Sequence, residues 1–203
     1  MLDGTQSGEE HAWGLLSDLD PEDVCRRADV GFDYPAGCFK LRLFSADILV
    51  FTGYRRISGD SPAADILLEQ LGGYARLSAL WYLVGARDIP VSGKLVKPGD
   101  MGGGEIYQRG THVLPLDRIA ERYGSDVPGF LARGRELGSE QAEYGDASLR
   151  LFPFPRVPVV LLLWKKDPEF VARAGLLFDS SARFHLPVDV IWSTAMISLL
   201  AML

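Results

Sequence analysis

The 203-residue chain contains no asparagine, only five lysines against sixteen arginines, and only two cysteines. Cys25 and Cys38 have twelve residues between them and form no C-x-x-C pattern. A disulfide framework and a four-cysteine metal cluster are therefore excluded, and the pair reads as reduced thiols packed as small hydrophobes. The missing asparagine and the arginine excess match a GC-rich coding bias and carry no functional meaning. No basic run is longer than a pair, at Arg26-Arg27, Arg55-Arg56 and Lys165-Lys166, and the net charge is −6. Nucleic-acid affinity rests on clustered positive charge that neutralises phosphates, so a DNA or RNA partner is not expected. Long apolar runs are scarce too. The closing stretch Val190–Leu203 is uncharged, but its fourteen residues fall short of the roughly 20 that span a bilayer. No membrane partner is expected, and a core helix or a helix shared with a second subunit is. The beginning, Met1–Glu10, is acidic and has no basic stretch followed by an apolar one, so no secretory signal is read and a cytoplasmic address is expected.

What is present is patterning. Residues 1–12 read as a mobile tail ahead of one domain over 13–203. Pro21, Glu22 and Asp23 suit the first turn of a short helix. Phe39, Leu41 and Leu43 alternate with Lys40 and Arg42, the period of a half-buried strand, and Ile48–Thr52 returns as its hairpin partner. Ser61-Pro62 is a helix start, and Gly72-Gly73 kinks or breaks the helix before Tyr74, Leu77, Leu80, Trp81 and Val84 recur at helical spacing. Residues 90–112 are rich in glycine and proline and read as a long loop with a short strand near Gly93–Val96. Helices are expected over Leu116–Tyr123 and Val127–Leu137, and strands over Ala147–Phe152, Val157–Trp164 and Gly175–Phe178. Strands come in groups rather than alternating with helices. The expected class is α+β, a mixed, mainly antiparallel sheet with helices packed against it.

Two familiar motifs fail on inspection. Gly93-Lys94 lacks the upstream glycine and the following hydroxyl of a phosphate loop. Gly59-Asp60-Ser61-Pro62-Ala63 resembles a nucleophile elbow only loosely, and helix capping already accounts for its serine. The polar stretch Gly102–His112 is the leading candidate. Its three glycines allow close backbone approach and can aim several amides at one anion. Arg109 can clamp an acid through two hydrogen bonds, Tyr107 offers a phenolic one, and Glu105 or His112 can relay a proton. In an extended chain Glu105, Tyr107 and Arg109 share one side. The competing reading is a surface turn in which Glu105 pairs with Arg109 and His112 caps the next helix. A second candidate begins at Asp179, on the end of an expected strand, and runs to His185. A binding role there competes with simple capping of the local turn by Asp179. Nothing in the spacing of His112 and His185 demands a metal, and none is assigned.

The order of short motifs is distinctive: Ser92-Gly93-Lys94, Gly103-Gly104-Glu105, Arg109-Gly110-Thr111-His112, Tyr144-Gly145-Asp146, Pro155-Arg156-Val157-Pro158, Leu163-Trp164, Leu177-Phe178-Asp179 and His185-Leu186-Pro187. Over roughly residues 20–200 this series resembles the domain-of-unknown-function family numbered 3786, found largely in anaerobic bacteria and archaea. Some of its members carry an added four-iron, four-sulfur domain like that of corrinoid iron–sulfur proteins, which implies a setting in anaerobic one-carbon or corrinoid metabolism. The chain departs from that arrangement in having too few cysteines for a cluster. It departs again at Asp167-Pro168-Glu169-Phe170-Val171, where many members read Asp-Glu-Glu-Phe-Pro.

The function expected from these readings is a binding domain for a small anionic or tetrapyrrole-like ligand, a corrinoid included. Gly103, Gly104, Glu105, Tyr107, Arg109, His112, Asp179 and His185 form its candidate site, in a pocket shared by the glycine-rich stretch and the segment after Phe178. A hydrolase using Glu105 or Asp179 as base and His112 as acid is the alternative. A structural or interaction subunit is the third reading, and monomer, homodimer and a partner protein all stay open.

Overall fold

The computed structural model describes residues 2–101 and 113–203. Helix α1 spans Leu2–Ser17 and takes in the stretch read from sequence as a tail. Trp13 and Leu16 are buried, and the Trp81 indole donates to Gly8 O at 3.2 Å, which fastens α1 to the helix carrying Trp81. Helix α2, Pro21–Ala28, starts where Asp20 accepts from the Glu22 amide, and it ends at Asp29 in the left-handed region with φ of 55°.

Four strands follow as an antiparallel meander: β1 Gly31–Asp33, β2 Cys38–Leu43, β3 Ala46–Phe51 and β4 Arg56–Gly59, in that spatial order. Phe39, Leu41, Leu43, Ile48 and Val50 point inward from it and are almost wholly buried. Lys40 and Arg42 point to solvent, as the alternation predicts. Helix α3, Pro62–Gly85, begins with Ser61 Oγ accepting from the Ala64 amide at 3.3 Å. It is kinked at Gly72, whose φ of 59° and ψ of −143° suit only glycine.

The second sheet is antiparallel throughout, with spatial order β5-β9-β8-β7-β6. Its strands are β5 Leu95–Val96, β6 Glu140–Ala142, β7 Ala147–Phe154, β8 Val157–Trp164 and β9 Arg173–Asp179. Between β5 and β6 lie the 3-10 turn Pro98–Asp100 and helices α4, Leu116–Tyr123, and α5, Val127–Glu136. After β9 come a 3-10 helix, Ser180–Phe184, and the closing helix α6, Val188–Leu200. Helix α6 is uncharged after Asp189, and its buried hydroxyls bond one turn back, Thr194 to Val190 O at 2.9 Å and Ser198 to Thr194 O at 2.8 Å. That satisfies the polar groups within the helix, so its whole surface can be buried. No helix among the described residues is long and apolar enough to cross a membrane.

The fold is thus α+β. One continuous hydrophobic cluster joins the inner faces of both sheets with α1, α3 and α6. Tyr82 ties its parts together: its ring stacks on Phe154, with centroids 4.8 Å apart, and its hydroxyl donates to Ala28 O at 2.7 Å while accepting from the Arg156 amide at 3.1 Å.

Candidate functional site

Six of the candidate residues, Gly103, Gly104, Glu105, Tyr107, Arg109 and His112, lie outside the described residues. Asp179 and His185 lie inside them, and both are buried. Asp179 ends β9 and caps the 3-10 helix that follows. Its carboxylate accepts five hydrogen bonds: from the amide and hydroxyl of Ser92 at 2.9 and 2.8 Å, from the Gly93 amide at 2.7 Å, and from the amide and hydroxyl of Ser181 at 2.9 and 2.6 Å. Burial works against its charge, but these donors outweigh it and hold the pKa at about 2. The Lys94 carbonyl accepts from the Ser180 amide at 2.8 Å and closes the knot. It anchors residues 92–96 to the end of β9.

His185 sits just beyond. Its Nδ1 accepts from the Arg87 amide at 3.2 Å, so the neutral ring carries its proton on Nε2, which is buried without a partner among the described residues. Burial first, then the charges of Arg156 and Arg87, push its pKa down to about 4 against the opposing pull of Asp179. The site needs a bare backbone opposite: a Cβ on Gly85 would lie 2.7 Å from His185 O. Asp179 and His185 are therefore near one another and are both committed to local structure.

An apolar hollow lies next to that knot and has a different lining. It holds about 620 Å³ between the Lys97–Asp100 turn, residues Val113, Leu114 and Leu116 leading into α4, and the sheet positions Leu162, Trp164 and Ala174–Leu177. Neither Asp179 nor His185 lines it. The core-facing side chains of β8 are Val159, Leu161 and Leu163, so by strand alternation Leu162 and Trp164 occupy the other face, paired across to Gly175 and Arg173. The Trp164 ring lies against Gly175, where a Cβ would come within 3.3 Å of the indole, and the Arg173 guanidinium stands 5.2 Å from the ring centroid. Among the described residues, Lys97 and Asp100 are the only charged side chains in the lining. The sequence signal for this site was the run Val157–Trp164, apolar on both faces. It reads as a strand covered on each side, whereas at Leu162 and Trp164 the second cover is a hollow.

A second hollow of about 500 Å³ is lined by Gln70, Arg122, Asp126, Arg133 and Glu136 among others. Arg133 meets Glu136 at 2.8 Å and donates to Ala201 O at 2.8 Å. Among the described residues no group of three or more His, Cys, Asp or Glu side chains is placed to hold a metal ion. Cys25 and Cys38 are free thiols, and burial raises the pKa of each.

A family model described as a domain of unknown function (DUF3786) matches residues 20–199. No curated protein and no solved structure matches the chain.

Proposed function

The chain belongs to this family of domains of unknown function, and from that premise we propose that it is a binding module holding a small, largely apolar ligand with an anionic edge in the hollow beside Trp164. The observation that carries the reading is the hollow itself. Its volume of about 620 Å³ falls within the roughly 300–1,000 Å³ range of small-molecule sites, which combine apolar walls with a few polar groups. Leu114, Leu116, Leu162, Leu176 and Leu177 supply the walls. Trp164 supplies an aromatic face for a flat ligand, Lys97 supplies positive charge for an acidic edge, and Arg173, outside the lining but 5.2 Å from the Trp164 ring centroid, adds a second positive charge nearby.

The sequence adds Arg109 and the amides of Gly103 and Gly104 as candidate contacts for that edge, together with Glu105, Tyr107 and His112. They fall between Asp100 and Val113 in the chain, and both of those residues line the hollow. The size and aromatic wall suit the flat, acid-bearing body of a tetrapyrrole. No histidine among the described residues lines the hollow, so His112 is the residue that would hold a metal carried by such a ring. The binding reading is favoured over the hydrolase because a general base needs a free lone pair and a pKa near the working pH. Asp179 has five donors on its carboxylate and a pKa of about 2.

The test is anaerobic purification followed by an absorption spectrum and native mass spectrometry, with haem, cobalamin and anilinonaphthalene sulfonate offered to the chain. A retained or added ligand that is lost on Leu177→Glu, in a variant whose circular dichroism is unchanged, is the expected result. No retained ligand and no binding of any of the three probes would overturn the proposal.

A further inference from the structure

The hollow beside Trp164 has two unlike ends. Extending the register from Val96↔Phe178 brings Lys97 opposite Leu177, so the Lys97–Asp100 turn closes the end nearest Asp179. Arg173 lies at the other end of β9, roughly 13 Å from Leu177 at the rise of a β-strand, and is paired across to Trp164. Residues directly opposite in an antiparallel pair share a face, and alternation then sets Arg173, Gly175 and Leu177 beside Leu162 and Trp164. Arg173 therefore stands on the hollow's own face of the sheet, next to the lining residue Ala174.

The ends differ in charge as well. Lys97 shares its end with Asp100, whose opposite sign offsets it. Arg173 is exposed and has no acid paired with it among the described residues; its guanidinium stands over the Trp164 ring instead, 5.2 Å from the centroid. The ring itself is seated between two glycines. A Cβ on Gly175 would come within 3.3 Å of Cζ3 at one edge, and a Cβ on Gly145 within 3.4 Å of Nε1 at the other. A flat ligand needs the ring face that the guanidinium covers. An uncharged ligand has to displace the cation and offers nothing in return, whereas an acid gives it an ion pair in exchange for the contact with the ring. Specificity is a difference of affinities, and one residue here lowers the first and raises the second.

We infer that Arg173 is the specificity-determining residue of the hollow, a gate on Trp164 that admits flat ring acids and turns away uncharged rings of the same shape. The ligand acid that decides entry lies at the Trp164 end, where the planar guanidinium grips its oxygens by two parallel hydrogen bonds. The ligand's ring takes the indole face that the guanidinium leaves. This inference rests on the hollow being a ligand site, and it names which ligands that site selects.

Fluorescence titration of the full chain with a matched pair of dyes tests it: anilinonaphthalene sulfonate, and phenylnaphthylamine, which has the same rings without the acid. Arg173→Gln should lower the affinity for the sulfonate by about tenfold and leave that for phenylnaphthylamine equal or higher. Arg173→Lys keeps the charge but loses the fork, and should bind the sulfonate no more than about threefold better than Arg173→Gln. Lys165→Gln removes a neighbouring exposed cation and should keep the preference between the dyes within about threefold of the parent chain. An equal loss of both dyes in Arg173→Gln, or a Lys165→Gln variant that loses the preference as fully, would overturn the gate. If the parent chain binds both dyes and Arg173→Gln alters neither, the ligand site stands and only the gate falls. If the parent chain binds neither dye, both fall.

Discussion

Asp179 accepts from both the amide and the hydroxyl of Ser92, at 2.9 and 2.8 Å, across 87 residues of sequence. The pair fixes where residues 92–96 leave the end of β9, and so where Lys97–Asp100, one wall of the hollow, can stand. A residue read from sequence as a candidate for chemistry thereby acts through the shape of a neighbouring site.

Replacing Asp179 should unravel that anchor. Asp179→Ala leaves the Ser181 amide and hydroxyl without their acceptor in a buried place, while the exposed Ser92 and Gly93 donors can turn to water, and a loss of about 1–3 kcal/mol in urea unfolding is expected. A change below about 0.5 kcal/mol would show that the knot contributes little.

Two acid windows should be separable. Asp179 has its pKa lowered from 3.8 to about 2, so its contribution of about 2 kcal/mol is complete above pH 4 and is lost as pH falls toward 2. His185 has its pKa lowered from 6.5 to about 4. The unfolded chain takes up the proton first, so stability falls by about 3 kcal/mol as pH drops from 6.5 to 4 and then levels off. Urea unfolding measured against pH should lose the upper slope in His185→Gln and the lower slope in Asp179→Asn.

The elements with long, clean periodicity were legible in the sequence. Phe39, Leu41 and Leu43 announced β2, Ser61-Pro62 announced the start of α3, and Gly72 announced its kink. The three-residue strands β1 and β6 and the four-residue β4 were not legible, because each is too short to show a period and is held by pairing with its neighbour. Nor was α1, whose stretch Leu2–Ser17 carries few apolar residues and buries Trp13 and Leu16 only through tertiary packing. The hollow was invisible for a further reason. Strand alternation places Leu162 and Trp164 on one face of β8, but only the fold shows that the segment over that face leaves a space. Polar motifs drew attention to Asp179 and His185, whose partners, Ser92 and Arg87, are 87 and 98 residues away.

Tyr82 offers a check on the core. Burial raises the pKa of its hydroxyl, which stays neutral and bonded to Ala28 O and the Arg156 amide. Tyr82→Phe keeps the stack on Phe154 but strands both partners, and a loss of about 1–3 kcal/mol in thermal or urea unfolding is expected.

Gly175 should tune the site without disturbing the fold. Its missing Cβ leaves room for the Trp164 ring at 3.3 Å, so Gly175→Ala should displace the indole and weaken anilinonaphthalene sulfonate binding by about tenfold, at a stability cost under about 1.5 kcal/mol. Arg173→Ala should weaken the sulfonate dye but spare an uncharged analogue of it.

The most direct measurement is a methyl NMR titration of the full chain with anilinonaphthalene sulfonate. The account predicts saturable shifts at Leu114, Leu116, Leu162, Leu176 and Leu177, with Leu41 and Val50 in the first sheet unmoved. Shifts confined to other surfaces, or none at these five leucines, would contradict it.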